Sequence, residues 1–386
     1  MNKKTVSIIL FVLFSLVVFS NQLSLIEIPT IDSELLSIVS EEGYEITEIK
    51  ENSTQLIIPF DEFSKFKEKY NAVFVFENAD DIFSEYFNLN LETESVYHTY
   101  EQMEKVMDEL VKNHSEFISK HTIGKSYEGR EIWALKITAE YDEFSEHKPA
   151  VLFMGGHHAR EWISVEVPIE LAVYIAENYK SDKSITDYVN NYEIWIIPMV
   201  NPDGVVYSQN NYKYWRKTRR PVSNTAFGVD PNRNYGYHWG ETGASSYPSS
   251  DTYKGEKPFS ENCTQAVRDL AYEKKFVASI SYHSYGELIL YPYSYTNNVM
   301  APDFEELKKV AEEMAKYNNY NPIVSAGLYP AAGDSDDWLY SEIGTFAFTY
   351  ELAKSFIPND YQVAEICEVN IKSAVSLLDQ IDMILK

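Results

Sequence analysis

The sequence predicts an α/β protein in which a small α+β unit precedes a larger α/β domain. With 386 residues, 45% of them hydrophobic, the chain exceeds one typical domain and has enough apolar side chains for a packed core. Residues 24–77 alternate short strands and helices, whereas longer helices alternate with apolar strands from about Tyr97 onward. This change of pattern divides the chain into two folding units.

The first twenty residues have the layout of a secretory signal peptide. Lys3 and Lys4 precede an apolar run over Thr5–Phe19, and the small residues Val18 and Ser20 stand before a cleavage position. The run is shorter than the ~20 apolar residues that span a bilayer, and no other stretch of the sequence is long and apolar enough. We therefore predict a signal peptide over residues 1–20 and a secreted, extracellular protein; an uncleaved anchor is the alternative.

The small unit shows the element order β-α-β-β-α-β, which is the ferredoxin-like order. The pattern predicts strands over Leu25–Ile28, Tyr44–Lys50, Gln55–Pro59 and Ala72–Phe76, and helices over Asp32–Glu41 and Glu62–Tyr70. After Lys69 there is no lysine or arginine until Lys105, and the intervening stretch is rich in Asp, Glu and Asn. It is interpreted as an exposed acidic connector.

The larger domain alternates amphipathic helices with buried strands, which is typical of α/β organisation. Helices are predicted over Tyr100–Asn113, Val165–Asn178, Cys263–Lys275, Asp303–Tyr317 and Tyr361–Leu385, and strands over Glu131–Ile137, Ala150–Met154, Glu193–Ile197, Val277–Tyr282 and Thr345–Tyr350. The sequence contains no internal repeats.

The charge of the chain limits its partners. There are 33 basic and 59 acidic residues, which gives a formal net charge of −26. Such a field repels nucleic acid and anionic membranes and keeps a protein soluble, so we predict a monomer that binds neither. Cys263 and Cys367 are the two cysteines, which excludes a disulfide framework and leaves a single bridge open. Whether the acidic surface holds a structural calcium ion also stays open.

Candidate metal ligands follow one of the apolar strands. His158 and Glu161 come directly after Ala150–Met154, at the strand end where open α/β sheets place their sites. Residues three apart share one face of a helical turn, so the pair can meet one ion. His283 follows another apolar strand, and three N/O ligands with an open fourth position define a catalytic zinc site. The alternatives are a solvated His–Glu pair and a core histidine with satisfied hydrogen bonds.

Seven segments resemble the zinc carboxypeptidases of the pancreatic A/B type, in the family's order over residues 97–386. They are Gly156–Trp162, Asn201–Gly204, Trp215–Arg219, Asp230–Asn234, Tyr282–Tyr285, Tyr329–Gly333 and Phe348–Leu352. The resemblance implies a three-layer α/β/α carboxypeptidase domain with a mixed sheet over residues 96–386. It also implies that residues 21–95 are a pro-segment and connector; a permanently attached accessory domain is the alternative.

The resemblance also implies the catalytic residues. His158, Glu161 and His283 bind one catalytic Zn²⁺ ion, and Glu351 is the general base. Arg219 is expected to stabilise the oxyanion of the tetrahedral intermediate, a role that suits a permanently charged donor. Arg160 is expected to be an accessory contact to the substrate.

Further matched positions imply recognition of a free C-terminus. Asn232 and Arg233 are expected to clamp the terminal carboxylate, since a guanidinium matches it with two hydrogen bonds. Tyr329 is expected to close over the bound end, and Arg216 to guide the chain in. The alternative for Trp215–Arg220 is a basic surface patch, and for Asn232 and Arg233 a loop salt bridge.

The side-chain preference depends on the segment after Tyr329. Asp336 occupies the family's pocket-floor position, where the resemblance implies a preference for C-terminal lysine and arginine, and the polar Ser294 agrees with it. Asp334 departs from the family's glycine and adds charge or narrows the pocket. The alternative is that Asp336 is a solvated loop acid and that the pocket accepts apolar ends too.

The implied function is that of a secreted zinc metallocarboxypeptidase, synthesised as a proenzyme. Its partners would be the C-termini of peptides and proteins and its own pro-segment, acting as an intramolecular inhibitor. Two other functions explain part of the same residues: a zinc amidohydrolase acting on cell-wall peptides or acylated amino acids, and a non-catalytic peptide-binding relative.

Overall fold

The computed structural model describes residues 23–29, 44–49, 53–76, 95–139 and 148–386. The chain divides into two compact units, Met1–Glu94 and Ser95–Lys386. The predicted signal peptide, the helix predicted over Asp32–Glu41 and most of the acidic connector lie outside the described residues. Within the described ranges, no helix is both long and apolar enough to cross a membrane.

The small unit contains a four-stranded antiparallel sheet in the order β2-β3-β1-β4. The side chains of Ile26, Ile28, Leu56 and Ile58 are fully buried, because every second residue of a strand faces the same side of the sheet. Phe66, on the helix, is also fully buried. The elements are β1 (Leu23–Ile28), β2 (Glu45–Ile49), β3 (Thr54–Pro59), α1 (Phe63–Tyr70) and β4 (Val73–Phe76).

The larger unit contains an eight-stranded mixed sheet in the order β11-β10-β12-β9-β7-β8-β6-β5. Its strands are β5 (Ile118–Lys125), β6 (Glu131–Ile137), β7 (Ala150–Met154), β8 (Glu193–Ile197), β9 (Ala278–Ser284), β10 (Leu288–Tyr291), β11 (Asn321–Val324) and β12 (Phe346–Leu352). The central strands β12, β9, β7 and β8 are parallel, and antiparallel pairs flank them. Because β7 lies between β8 and β9, the chain order reverses beside β7, which places a crevice at the carboxyl ends of these strands.

Helices cover both faces of this sheet. They are α2 (Tyr100–Asn113), α3 (Ile163–Asn178), α4 (Lys183–Asn191), α5 (Pro202–Asn210), α6 (Asn262–Lys274), α7 (Phe304–Asn318), α8 (Ser335–Trp338), α9 (Asp360–Leu378) and α10 (Ile381–Ile384). Val151 and Phe153 of β7 pack into the core formed with α2, α3, α4, α7 and α9. Leu152 and Met154 pack into the opposite core, formed with α6. This arrangement confirms the predicted three-layer α/β/α fold.

The sheet also separates the two cysteines. Cys263 on α6 belongs to one core and Cys367 on α9 to the other, and both are buried free thiols. A disulfide between them would have to pass through the sheet. The bridge that the sequence left open is therefore not formed.

Most elements of the larger unit lie where the sequence predicts them. α2, β6, β7 and β8 have the predicted bounds. β9 continues to Ser284, so His283 lies within the strand rather than after it. The helix predicted over Tyr361–Leu385 is α9 followed by the short α10. Strands β5, β10 and β11 and helices α4, α5 and α8 were not predicted.

Candidate active site

Three side chains converge at the carboxyl ends of β7 and β9. His158 and Glu161 lie in the turn before α3, closed by a hydrogen bond from the Glu161 amide to the His158 carbonyl, and His283 lies on β9. His158 Nδ1 is 2.8 Å from Glu161 Oε1, and His283 Nδ1 is 3.0 Å from both His158 Nδ1 and Glu161 Oε2. All three side chains are buried. The sequence-predicted ligand set is thus brought together at one point.

Two glycines allow this turn to pack against the neighbouring backbone. An added Cβ at Gly155 would lie 1.9 Å from the Ser164 carbonyl oxygen, so no larger residue fits there. Gly156 has φ +65°, in the left-handed region, and its added Cβ would lie 3.0 Å from Met199 Cα. The Gly-Gly pair therefore fixes the path of the chain into the site.

The outer nitrogens of both histidines have partners of their own. His158 Nε2 is 3.1 Å from Asp230 Oδ1, and His283 Nε2 is 3.1 Å from Ser281 Oγ. A partner on Nε2 orients the ring so that Nδ1 faces the common point, as is usual for metal-ligating histidines. Two imidazole nitrogens and one carboxylate, with ligand atoms within 4.8 Å of one another, are a fitting donor set for a zinc ion.

Electrostatics support a charged Glu161 at this point. Burial opposes ionisation, but the adjacent His158 and His283 outweigh it and lower the pKa of Glu161. The pKa of His283 is also lowered, chiefly by burial, which favours the neutral ring. A carboxylate and neutral imidazoles are the ligand forms that a metal ion requires.

Glu351 stands beside the cluster on the neighbouring strand. β12 and β9 are parallel, and Glu351 is the register partner of His283. Burial, and next the nearby charge of Glu161, raise the pKa of Glu351 well above its usual value. A carboxyl group with a raised pKa is suited to both accepting and returning a proton.

The surroundings of Arg219 do not favour the oxyanion role predicted for it. Its guanidinium lies over the rings of Tyr207 and Trp215, with centroid distances of 3.6 and 4.5 Å. Arg216 is the arginine that faces the cluster, with Nη1 3.8 Å from Glu161 Oε1. The two arginines are three residues apart, and the path of the loop places their side chains in different surroundings.

Asp230 was missed as a site residue, although its motif was recognised. Its Oδ2 accepts hydrogen bonds from Arg216 Nε (3.0 Å) and Nη2 (2.9 Å), while Oδ1 faces His158. Burial opposes the charge of Arg216, but Asp230 and Glu161 outweigh it and raise the pKa of the guanidinium. A carboxylate before Pro-Asn-Arg is the only sequence signal that could have indicated this role.

The predicted carboxylate clamp lies next to Asp230. Asn232 and Arg233 form a 3₁₀ turn, Pro231–Arg233, whose first amide is capped by Asp230. Arg233 is buried and donates to the carbonyls of Gly243 (2.8 Å) and Asn232 (2.7 Å). Tyr329 is half-buried and lies within electrostatic reach of Arg216. Asp230 therefore links this turn to Arg216 and to His158.

Arg160 has a different environment from the one predicted. It is fully buried, and its Nη1 donates to the Tyr214 carbonyl (3.2 Å) and to Asp251 (3.1 Å). The guanidinium also lies over the ring of Phe356, 4.6 Å from its centroid. These contacts give Arg160 a structural role; the substrate contact stays a prediction.

Asp336 lies on the same side of the sheet as Glu351. Its Oδ2 accepts a hydrogen bond from Thr349 Oγ1 (2.6 Å), and Thr349 and Glu351 are two apart on β12 and so share a face. Asp337 accepts the backbone amides of Ser294 (2.8 Å) and Tyr295 (2.9 Å). The Asp336 segment and the predicted pocket residue Ser294 are thereby held together.

A model of the zinc carboxypeptidase family matches residues 103–373, which include all of the residues described above as site residues. The chain belongs to the zinc carboxypeptidase family. Carboxypeptidase A2 of Rattus norvegicus is 38% identical over 275 residues, which are 69% of this chain and 64% of that protein. The zinc carboxypeptidase of Simulium vittatum is 33% identical over 300 residues, 74% of this chain and 96% of that protein.

Solved structures agree with this membership. The crystal structure of thrombin activatable fibrinolysis inhibitor has a TM-score of 0.76 at 26% identity and covers 93% of this chain and 99% of its own. Carboxypeptidase A from Helicoverpa armigera has a TM-score of 0.82 at 23% identity, over 94% of this chain and 98% of its own, and this likeness concerns the fold alone. The chain thus has the zinc carboxypeptidase fold.

Proposed function

We propose that this protein is a zinc-dependent carboxypeptidase that hydrolyses the C-terminal peptide bond of peptides and proteins. The observation that carries the proposal is the convergence of His158, Glu161 and His283 beside Glu351 and Arg216. His158, Glu161 and His283 would hold the ion. Zinc bound there supplies Lewis acidity towards a carbonyl oxygen and towards water.

Glu351 moves the protons of this reaction. As general base it accepts a proton from the attacking water, and as general acid it returns the proton to the leaving amine. Its raised pKa makes the carboxylate a stronger base towards the proton of water than an ordinary carboxylate, and the protonated carboxyl group is still acidic enough to return that proton to the leaving amine. No covalent bond to the protein is required.

Arg216 stabilises the negative charge that develops on the scissile carbonyl oxygen. This replaces the role predicted for Arg219, because Arg216 is the guanidinium beside Glu161. Asp230 fixes it with two hydrogen bonds, so no reorganisation is needed as the charge develops. Asn232 and Arg233 bind the terminal carboxylate of the substrate, and Tyr329 closes over it.

Asp336 selects the last side chain, with lysine and arginine preferred. Its buried carboxyl group lies on the Glu351 side of the sheet, beside the segment held by Ser294. A carboxylate in an enclosed pocket pairs with a cationic side chain and is costly to leave unpaired against an apolar one. Acceptance of apolar ends as well would reduce this preference without changing the reaction.

The protein is exported and synthesised as a proenzyme. The basic and apolar residues of positions 1–20 support export. Residues 21–95 form the inhibitory pro-segment and connector, supported by the four-stranded sheet whose strand order is the ferredoxin-like one. Cleavage in the connector would release the active enzyme.

A pair of blocked dipeptides tests the proposal. The zinc-loaded chain should release the last residue from the dipeptide with a free C-terminus and not from its amide. A zinc chelator should abolish turnover, and added zinc should restore it. Faster turnover of acylated amino acids than of blocked dipeptides would indicate an amidohydrolase, and binding without turnover would indicate a non-catalytic relative.

A further inference from the structure

The pocket segment carries a second buried carboxyl group, Asp334, two residues before Asp336. Asp334 is 5% exposed and Asp336 2%. Asp334 Oδ1 caps the short helix α8 by accepting the amides of Asp336 (3.0 Å) and Asp337 (2.9 Å). Asp334 Oδ2 is buried without a hydrogen-bond partner. An unpartnered carboxylate oxygen is costly to bury, so its presence indicates a use.

The surroundings of the two carboxyl groups contain little positive charge. Hydroxyl groups, rather than cations, bond Asp336: Ser335 Oγ at 3.3 Å and Thr349 Oγ1 at 2.6 Å. The charged and titratable groups that face the pair from the packed elements are Asp337 on the same segment, Arg233 from the 3₁₀ turn, Tyr235 two residues after that turn, and Glu351 from β12. Arg233 donates to carbonyl groups, and its positive charge offsets only part of the effect of burial on Asp334.

We propose that Asp334 and Asp336 act as a coupled pair of carboxyl groups at the pocket floor, and that Asp334 thereby makes the selection of basic C-terminal residues depend on pH. This inference rests on the proposed preference for lysine and arginine. Two close carboxyl groups do not both ionise readily, and a cationic side chain in the pocket favours the fully ionised pair. Binding of a basic end therefore releases a proton.

The direction of the pH effect follows from the sign of the shift. Burial, and next the charge of Asp334, raise the pKa of Asp336 to about 7. Below that pH the pocket is closer to neutral and discriminates weakly between charged and uncharged ends. Above it the pocket is anionic and favours the cation. Selectivity for arginine therefore increases as the pH rises through neutrality.

Citrulline is the uncharged isostere of arginine and gives the matched substrate pair. We would measure kcat/KM from pH 5.5 to 8.5 for one blocked dipeptide that ends in arginine and one that ends in citrulline. The enzyme is the zinc-loaded full chain, either uncut or after cleavage, depending on which form is active. Titrating groups that change kcat/KM for both substrates equally, such as Glu351, have no effect on the ratio of the two values. A group with this pKa predicts a rise of the ratio by about 30-fold over the range.

Asp334→Asn is the decisive variant, because asparagine keeps an oxygen to cap α8 and removes the charge. The midpoint of the ratio should move to lower pH by ~1 unit, since one like charge is lost. Glu342→Gln, which removes an exposed acid just after α8, is the matched control and should leave the midpoint in place. Calorimetric titration with free arginine should show proton release near pH 6.5 that decreases in Asp334→Asn.

The outcomes separate this inference from the proposed function. An unshifted midpoint in folded Asp334→Asn, or a ratio that favours arginine equally at every pH, overturns the coupled pair and leaves the basic preference intact. A ratio near one at every pH overturns the basic preference and this inference with it. If Asp334→Asn melts at a much lower temperature, the wild-type ratio and its proton release still decide whether a titrating pocket exists.

Discussion

Glu351 and His283 are register partners on adjacent parallel strands, so the proposed general base lies one strand away from a proposed metal ligand. This spacing is a property of the sheet and does not depend on loop conformation. The base is therefore held by backbone hydrogen bonds on a rigid element, as precise proton transfer requires. Because Glu351 lies on a different strand from His283, we also expect that Glu351 can be replaced without disturbing the metal ligands.

Glu351→Gln should retain zinc and lose turnover. Glutamine keeps the shape of the side chain but cannot accept the proton of water, so kcat should fall by roughly 10²–10⁴-fold. Zinc content, measured by atomic absorption, should equal that of the wild type. Near-normal turnover would show that another carboxylate is the base.

Replacing His158, Glu161 or His283 by alanine should abolish zinc binding and activity together, because two remaining ligands do not hold the ion against water. Ser281→Ala is the matched control. It removes only the partner of His283 Nε2, so it should weaken zinc affinity by about 10–100-fold and keep one ion per chain at saturation. A full zinc content in any of the three ligand variants would exclude that residue.

The two arginines of the basic segment should differ sharply when each is changed to lysine. Arg216→Lys keeps a positive charge for Asp230 but loses the fixed guanidinium, so kcat/KM should fall by roughly 10²-fold or more. Arg219→Lys, which alters contacts with the rings of Tyr207, Trp215 and Phe227, should stay within about threefold, as expected of a change away from the reacting groups. The opposite result would restore the original prediction for Arg219.

Activation should require cleavage between about Phe83 and Ser95. This stretch has no lysine or arginine, so trypsin should not cut it, whereas an endopeptidase that prefers apolar, aromatic or acidic residues should. From Tyr97 the chain is bound within the larger unit, where Tyr97 donates to the Pro358 carbonyl and His98 Nδ1 is 2.6 Å from Glu166. N-terminal sequencing should locate the cut. Full activity of the uncut chain towards small substrates would disprove inhibition.

Asp336→Ile should reverse the side-chain preference. Without the carboxylate the pocket no longer pairs with a cation, so kcat/KM should fall for C-terminal arginine and rise for phenylalanine. Asp337→Ile would not be equivalent, because Asp337 holds the Ser294 and Tyr295 amides. An unchanged ratio in Asp336→Ile would show that this residue does not set specificity.

The strands that support the site could be predicted because they are continuous apolar runs. All five residues of β7 are buried, and its bounds were predicted correctly. Strand β11, by contrast, is short and partly exposed and contains Pro322, which argues against a strand in any sequence pattern. It forms because β10 provides a parallel partner, Leu288 pairing with Asn321. The pairing with β10 is a tertiary contact, so a local sequence pattern does not reveal β11.

The sequence by itself indicated the donor set: the spacing of His158 and Glu161 and the strand pattern before His283 are compatible with a metal site, and the resemblance to the zinc carboxypeptidases implied these three residues. It also determined the fold class, since strongly apolar strands and amphipathic helices leave few alternatives. Only the tertiary structure distinguishes the surroundings of Arg216 and Arg219, which are chemically identical and three residues apart. What distinguishes them is Asp230, fourteen positions after Arg216, whose carboxylate pairs with one guanidinium and not the other. Partners distant in sequence set a side chain's direction, because burying a charge is tolerated only where an opposite charge already stands.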